Sequence, residues 1–345
     1  MKKLYLLPQD GQYYKANLHC HSTVSDGRLT PEQLRDAYRA EGYSILAITD
    51  HEVGVDHSDL NLPDFLMLTG YEISVNPVGT DYVREKVCHI NLISSRPDYT
   101  KQVCYDPTHF NDYLRKSLRP EDIPEETYTR SYSPECVNEI VRQAHDKGYL
   151  CSYNHPTWSM ESFAEYGQYK GFDMMEMVNN TSTVVGYDEC NSHAYDEMLR
   201  AGRRLSCTCT DDNHDAFPLG DPKNDSFGGY IWLNALALDY DSVIESLRYG
   251  DFYASAGGPT ISELSFDGQK VRLVCSGARE IRRISNLRSG MLSFRPGEGE
   301  LLTEIESGLT DEESYFRFQL VGPDGKCSFT RAYYPDEMEQ AFKKL

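Results

Sequence analysis

Thr30-Pro31-Glu32-Gln33 and, a helix later, Ser44-Ile45-Leu46-Ala47-Ile48-Thr49-Asp50-His51 together decide how this chain is read. The first four residues are a helix start: a threonine N-cap, a proline at the first helical position, and a glutamine placed to close a capping box. Leu34, Ala37 and Tyr38 then fall on one face, and Gly42 marks the stop. Residues 44–49 are almost unbrokenly apolar, the pattern of a parallel strand covered on both sides. Asp50 and His51 stand at its C-terminal end. The unit is a helix, then a buried strand, then a polar pair where the strand runs out.

The unit recurs. Ser133-Pro134-Glu135 starts a helix striped by Val137, Ile140, Val141 and Ala144, with Gly148 beyond it. Leu150-Cys151-Ser152-Tyr153 follows as a strand and delivers Asn154-His155-Pro156. A helix over 189–200 ends at Gly202, and residues 205–210 lead to Asp212 and His214. Upstream, a short strand-like start runs into His19-Cys20-His21 and then Ser25-Asp26-Gly27. Residues 66–68 lead to Glu72, residues 87–93 carry His89, and residues 173–178 carry Glu176. Such repeats predict parallel strands with right-handed crossovers. Polar groups at several strand ends predict a barrel-like α/β arrangement with the site on the C-terminal rim. Residues 94–130 break the rhythm and read as an insertion over that rim. After Gly257-Gly258-Pro259 the pattern turns to short alternating runs, with turns at Asp267-Gly268 and Asp324-Gly325 among them, which predicts a small antiparallel β-sandwich. The expected domains are therefore 1–258 and 259–345.

Composition narrows the partners. The chain has 345 residues and a formal net charge of −20, which opposes a nucleic-acid backbone or an anionic membrane as the main partner. A small anionic substrate remains compatible, because bound cations invert the local field. Ten cysteines without a CxxC pair read as free thiols, with Cys20, Cys88, Cys151, Cys207 and Cys209 in apolar strands. Met1-Lys2-Lys3 and the following Leu4-Tyr5-Leu6-Leu7 stop at Pro8, short of a secretion signal. A cytoplasmic location is the expectation.

His19 and His21 lie two apart on an extended segment, so both rings point one way, a chelating geometry. With Asp26, His51, Glu72, His89, His155, Asp212 and His214 they exceed what one ion needs. Two or three divalent ions would use them, and Glu72, having two oxygens, suits a bridging place. Asp211 competes with its neighbour Asp212, but period two aligns Asp212 with His214.

In this order the motifs resemble those of the PHP (polymerase and histidinol phosphatase) family of metal-dependent hydrolases. Asn17-Leu18-His19-Cys20-His21-Ser22-Thr23 with Ser25-Asp26-Gly27 resembles the first motif, Thr49-Asp50-His51 the second, Asn154-His155-Pro156 the third and Asp212-Asn213-His214 the last. Gly70-Tyr71-Glu72 and Cys88-His89-Ile90 match the stations between. The resemblance spans roughly residues 14–258, and the tail is similar to the β domain of some two-domain members. It implies a distorted (β/α)7 barrel, TIM-like, with two or three Mn²⁺, Fe²⁺ or Zn²⁺ ions. By that likeness His19, His21, Glu72 and Asp212 serve one ion, Glu72, His89 and His155 a second, and Asp26, His51 and His214 a third. It also implies hydrolysis of a small phosphorylated metabolite or nucleotide by a hydroxide made available through metal coordination. Glu72 and His214 would take part in catalysis, with Asp50 behind them accepting a proton from a ligand imidazole.

Several residues carry two readings. Glu176 either orients a ligand or braces the rim. Arg84, Lys86, Arg96 and Arg130 either clamp a phosphate or are solvated charges. Tyr82 or Tyr105 would offer a ring for stacking. His57, His109, His145 and His193 match no family station, and Phe227-Gly228-Gly229 reads as a turn. Two further functions compete: cleavage of a carboxyl ester or carbamate at the same site, and a binding protein with structural ions. A role beside a DNA polymerase is opposed by the chain's length and acidity.

Overall fold

A computed structural model describes residues 2–77 and 85–345. The fold is mixed α/β and is organised by one 13-stranded sheet. Its site-bearing part runs, strand by strand, through Tyr230–Ala235, Gln12–Asn17, Ile45–Ile48, Leu66–Val75, Cys88–Ser94, Tyr149–Tyr153, Met174–Asn179 and Ser206–Thr210. Gln12–Asn17, Ile45–Ile48 and Leu66–Val75 are parallel neighbours, as are the last three of the series. The expectation of uniformly parallel strands is corrected at two places. Cys88–Ser94 runs antiparallel to both its neighbours, and Tyr230–Ala235 is antiparallel to Gln12–Asn17. The physical reason lies in the connections: among the described residues no helix stands between Leu66–Val75 and Cys88–Ser94 to carry the chain back for a parallel crossover.

The ladder does not close into a ring among the described residues. It approaches closure at the rim, where Asp212 N–H donates to His19 O at 2.9 Å and His21 N–H to Asn213 O at 3.1 Å. Helices cover the sheet as their stripes require. Val137, Ile140, Val141 and Ala144 of Pro134–Asp146 share a core with Leu92, Leu150 and Met175. The capping box at Thr30 forms in both directions.

The other end of the 13-stranded sheet continues through Phe252–Ser255, Cys327–Thr330, Phe316–Val321, Glu280–Ser285 and Leu292–Phe294. A second sheet of four strands, Leu4–Tyr5, Ile261–Phe266, Lys270–Ala278 and Leu302–Gly308, shares a core with it built on Leu264, Leu273, Ile281 and Phe318. The chain's first strand and its C-terminal strands thus pair, and the helix Pro335–Lys344 packs Met338 and Phe342 into the same core. All ten cysteines are free thiols. Among the described residues no helix is long and apolar enough to cross a membrane.

Candidate metal centre

The site forms because pairing continues past the strand ends. Thr49 N–H donates to Cys20 O, Glu72 N–H to Asp50 O, Glu52 N–H to Glu72 O and Asn154 N–H to His89 O. Each bond holds one donor-bearing segment in register with the next. Antiparallel Cys88–Ser94 starts at this rim rather than ending there, which is how His89 joins residues at the other strands' C-terminal ends. Cys20 turns away into a separate core beside Leu34 and Tyr38, so His19 and His21 share the opposite face.

Five of the expected imidazoles, His19, His21, His51, His89 and His155, lie against the carboxylates of Glu72 and Asp212, and His214 Nδ1 is 2.9 Å from the backbone O of Asp212. His19 Nε2 lies 3.0 Å from Asp212 Oδ1 and 3.3 Å from Glu72 Oε1. His21 Nε2 lies 3.0 Å from the same Asp212 oxygen. Glu72 Oε1 is 3.1 Å from His89 Nδ1 and 3.4 Å from His155 Nε2, and Glu72 Oε2 is 3.0 Å from His51 Nδ1. The remaining residue, Asp26, stands at the mouth, 3.4 Å from His214 Nε2 and 3.7 Å from His51 Nε2. Three groups of donors result: His19, His21 and Glu72; Glu72, His89 and His155; and His21, Asp26, His51 and His214. Ligand bonds of about 2.0–2.2 Å put neighbouring ligand atoms about 3.0–3.4 Å apart, so these separations match edges of a coordination shell. Glu72 Oε2 is buried and makes no hydrogen bond. A buried carboxylate oxygen left this way calls for a positive partner. The donor set therefore fits divalent ions.

Charge within the cluster points the same way. Burial opposes ionisation of Glu72 and Asp212, yet His89 and His19 respectively hold both carboxyls well below their usual range. Against its own burial penalty, the neighbouring Glu72 carboxylate, with Asp26, raises His51 to about 9. His155 is likewise raised to about 9 by Glu72, Asp212 and Glu176 against burial. Burial, aided by His51 and His214, lowers His21 to about 4. The carboxylates thus draw protons onto some imidazoles, a role a cation would take over.

Glu176 settles between its two readings by contact: Oε1 is 2.6 Å from His19 Nδ1, and Oε2 accepts the N–H of His155 at 2.9 Å. It is the carboxylate that orients the His19 imidazole. The expectation for Asp50 is corrected. Asp50 accepts from Ser22 N–H and Oγ at 2.7 and 2.6 Å and from Ser25 N–H and Oγ at 3.1 and 2.6 Å, and no imidazole reaches it. Its place at the end of a strand aims it at the turn 22–25, which it pins; Gly27 is needed there because a Cβ would meet His21 O at 2.3 Å. Asp211 faces away from the donors. Its carboxylate takes the N–H groups of Phe227, Gly228 and Gly229 and the Tyr38 hydroxyl, so that glycine turn wraps a protein carboxylate.

A cavity of about 740 Å³ opens over the cluster. The insertion supplies one wall with Asp106, Thr108, His109, Asn111 and Arg130, and Trp158 supplies another. Arg130 is sealed, its Nη1 2.7 Å from Glu52 Oε1. Lys86 pairs with Glu165 at 2.6 Å, and Arg96, itself exposed, lies over the Tyr99 ring. Tyr105 packs on Phe110 and is buried. Tyr82 and Arg84 fall outside the described residues. His57 is buried, His145 pairs with Asp173 and His193 is exposed. Sequence reading missed Glu52, Ser74, Ser159 and Trp158. Ser74 Oγ and Ser159 Oγ touch the outer nitrogens of His89 and His155 at 3.0 and 3.1 Å, and Trp158 sets its ring edge against His155. The only signal in sequence was proximity to a ligand: Glu52 follows His51, and Trp158 lies three past His155.

No family model matches the chain. A 5'-3' exoribonuclease of Haemophilus influenzae is 41% identical over 69 residues, 19% of this chain and 25% of that protein. The chain thus matches about a quarter of that relative's length. Among solved structures, a two-domain protein of Bacteroides vulgatus containing a predicted PHP-like metal-dependent phosphoesterase is 16% identical, with a TM-score of 0.44 over 96% of this chain and 99% of that one. A putative metal-dependent phosphoesterase of Bifidobacterium adolescentis is 15% identical, with a TM-score of 0.38 over 68% and 96%. An amidohydrolase of Chromobacterium violaceum is 17% identical, with a TM-score of 0.34 over 58% and 87%.

Proposed function

We propose that this protein is a metal-dependent hydrolase of the PHP type, acting as a phosphoesterase on a small phosphorylated metabolite or nucleotide. One observation carries the reading: eight imidazole and carboxylate groups brought from distant parts of the chain gather with Glu72 beneath an open cavity. His19, His21, Glu72 and Asp212 would hold one divalent ion, Glu72, His89 and His155 another, and Asp26, His51 and His214 a third. Such ions, as Mn²⁺, Fe²⁺ or Zn²⁺, supply charge neutralisation at the reacting group and lower the pKa of water. The chain's own part is positional. Glu176 fixes the rings that form the floor, Asp50 fixes the turn bearing Asp26, and the insertion walls the reacting group in. In keeping with this reading, the rim strands are taken as a distorted barrel, with a division into 1–258 and 259–345.

The test is titration of metal-stripped protein with Mn²⁺, Fe²⁺ and Zn²⁺ against a panel of phosphate mono- and diesters, with carboxyl esters and carbamates alongside. Metal-stimulated phosphate release is expected. Turnover confined to the acyl substrates would transfer the assignment to ester or carbamate hydrolysis, and a fully loaded protein inert on the whole panel would overturn the enzyme reading.

A further inference from the structure

We infer that His109, carried by the insertion, is the acid that protonates the leaving group. The inference rests on the hydrolase reading above and adds a residue outside the set of nine.

Four observations support it. First, His109 lines the same cavity as His51, His89, His155 and His214, and its side chain is 15% exposed, so it is reachable from that space. Second, its Nδ1 lies 3.8 Å from Glu52 Oε1, while Nε2 makes no hydrogen bond among the described residues. A carboxylate beside Nδ1 favours the proton there and leaves Nε2 to face substrate when the ring is charged. Third, Glu52 is itself fixed. Its Oε1 accepts from Ser74 N–H at 3.0 Å and from Arg130 Nη1 at 2.7 Å. Fourth, the backbone makes the link to the donor cluster. Glu52 has φ +62°, so consecutive side chains diverge: His51 turns to Glu72, Glu52 turns to the wall. Glu52 N–H also donates to Glu72 O at 2.8 Å. A non-glycine residue held in the left-handed region beside a site is strain kept in place by its surroundings.

The charged groups facing His109 are Glu52 and Asp106, which favour its proton, and Arg130 and His89, which oppose it. Burial is the largest influence and leaves the group below 6.5. A lowered group gives up its proton more easily but is charged in a smaller fraction of molecules, and that fraction shrinks as pH rises. In the step proposed, a water oxygen bonds to the reacting centre while the bond from that centre to the ester oxygen breaks. The electron pair stays on the leaving oxygen, which takes the proton from Nε2. The imidazole then regains a proton from solvent, and the water's own proton is released, so ester and water give acid and alcohol.

The experiment compares metal-loaded wild type and His109→Gln on two esters of the class that wild type cleaves, one releasing p-nitrophenol and one releasing a simple alcohol. A good leaving group needs no proton. The variant should lose about 10²–10⁴-fold in kcat on the alkyl ester, keep nearly full activity on the nitrophenyl ester, and lose the fall in rate on the basic side. Equal loss on both esters, or none on either, overturns the assignment. Wild type that cleaves neither ester overturns the hydrolase reading and this one with it, a result told apart by the wild-type arm alone. A second readout is independent of turnover. In histidine NMR spectra of the Zn²⁺-loaded protein, the signal missing from His109→Gln should still titrate. A signal that ceases to titrate on loading makes His109 a ligand and overturns its role as an acid.

Discussion

The floor and the mouth of the donor cluster are built from the same residue types and behave differently. At the floor, His19, His21, Glu72, His155 and Glu176 are fully or almost fully buried, and the imidazoles are braced by partners behind them. At the mouth, the Asp26 side chain is 56% exposed and those of His51 and His214 are 26% and 27% exposed. Buried, oriented ligands lose little freedom when a cation arrives and cannot satisfy themselves with water. Exposed ones are hydrated until it does. On the proposed reading, ions held at the floor would exchange slowly, and one held at the mouth, beside the cavity, would be held more loosely.

Removing the shared carboxylate should break the contrast most severely. Glu72→Gln takes a charge from two of the three donor groups, and the loss in activity and metal content should exceed the roughly 10–100-fold typical of outer partners; metal analysis and kinetics check it. Next in size is Glu176→Gln, which leaves every ligand in place but frees the His19 ring. Metal affinity at the floor should fall by about 10–100-fold, measured by competition with a chelator. If affinity is unchanged, burial alone and not orientation defines the floor.

A smaller effect is shared by the two levels and is read by pH. His51 and His155 are held near 9, so both carry protons at neutrality that a cation must expel. Metal binding should therefore release protons, and affinity should rise from pH 6 towards 9 and then level off. Calorimetry in two buffers of different ionisation enthalpy measures the release. The smallest expected change is Asp26→Asn, which should cost the protein about one ion per chain at the mouth while the floor ions stay bound. Loss of all metal from this variant would show that the levels are coupled and would remove the distinction.

Much of the site was legible in the sequence because ligand chemistry restricts residue type and strands impose a period of two. His19 and His21 could be paired from spacing alone; Asp212, whose backbone is left-handed, instead reaches those two rings while His214 faces Asp26. The partners behind the rings could not be read from spacing. Glu176 and Asp50 look alike in sequence, each a carboxylate near a strand end. Only the fold shows that Glu176 meets His19 while Asp50 turns to two serines. Asp211 and Asp212 are neighbours with opposite fates, since Asp212 has φ +54° and its backbone bends between them. The insertion was visible as a break in rhythm, but His109 had no signal beyond being a histidine.

What the sequence determined by itself is the inventory: helix starts and stops, buried strands, and an excess of cation-binding groups at strand ends, all consequences of local geometry and side-chain chemistry. The tertiary structure alone decided the direction of Cys88–Ser94, the incomplete ring of strands, and which polar groups stand behind the ligands. These depend on contacts between residues far apart in the chain, and no local pattern encodes which distant carboxylate an imidazole will meet.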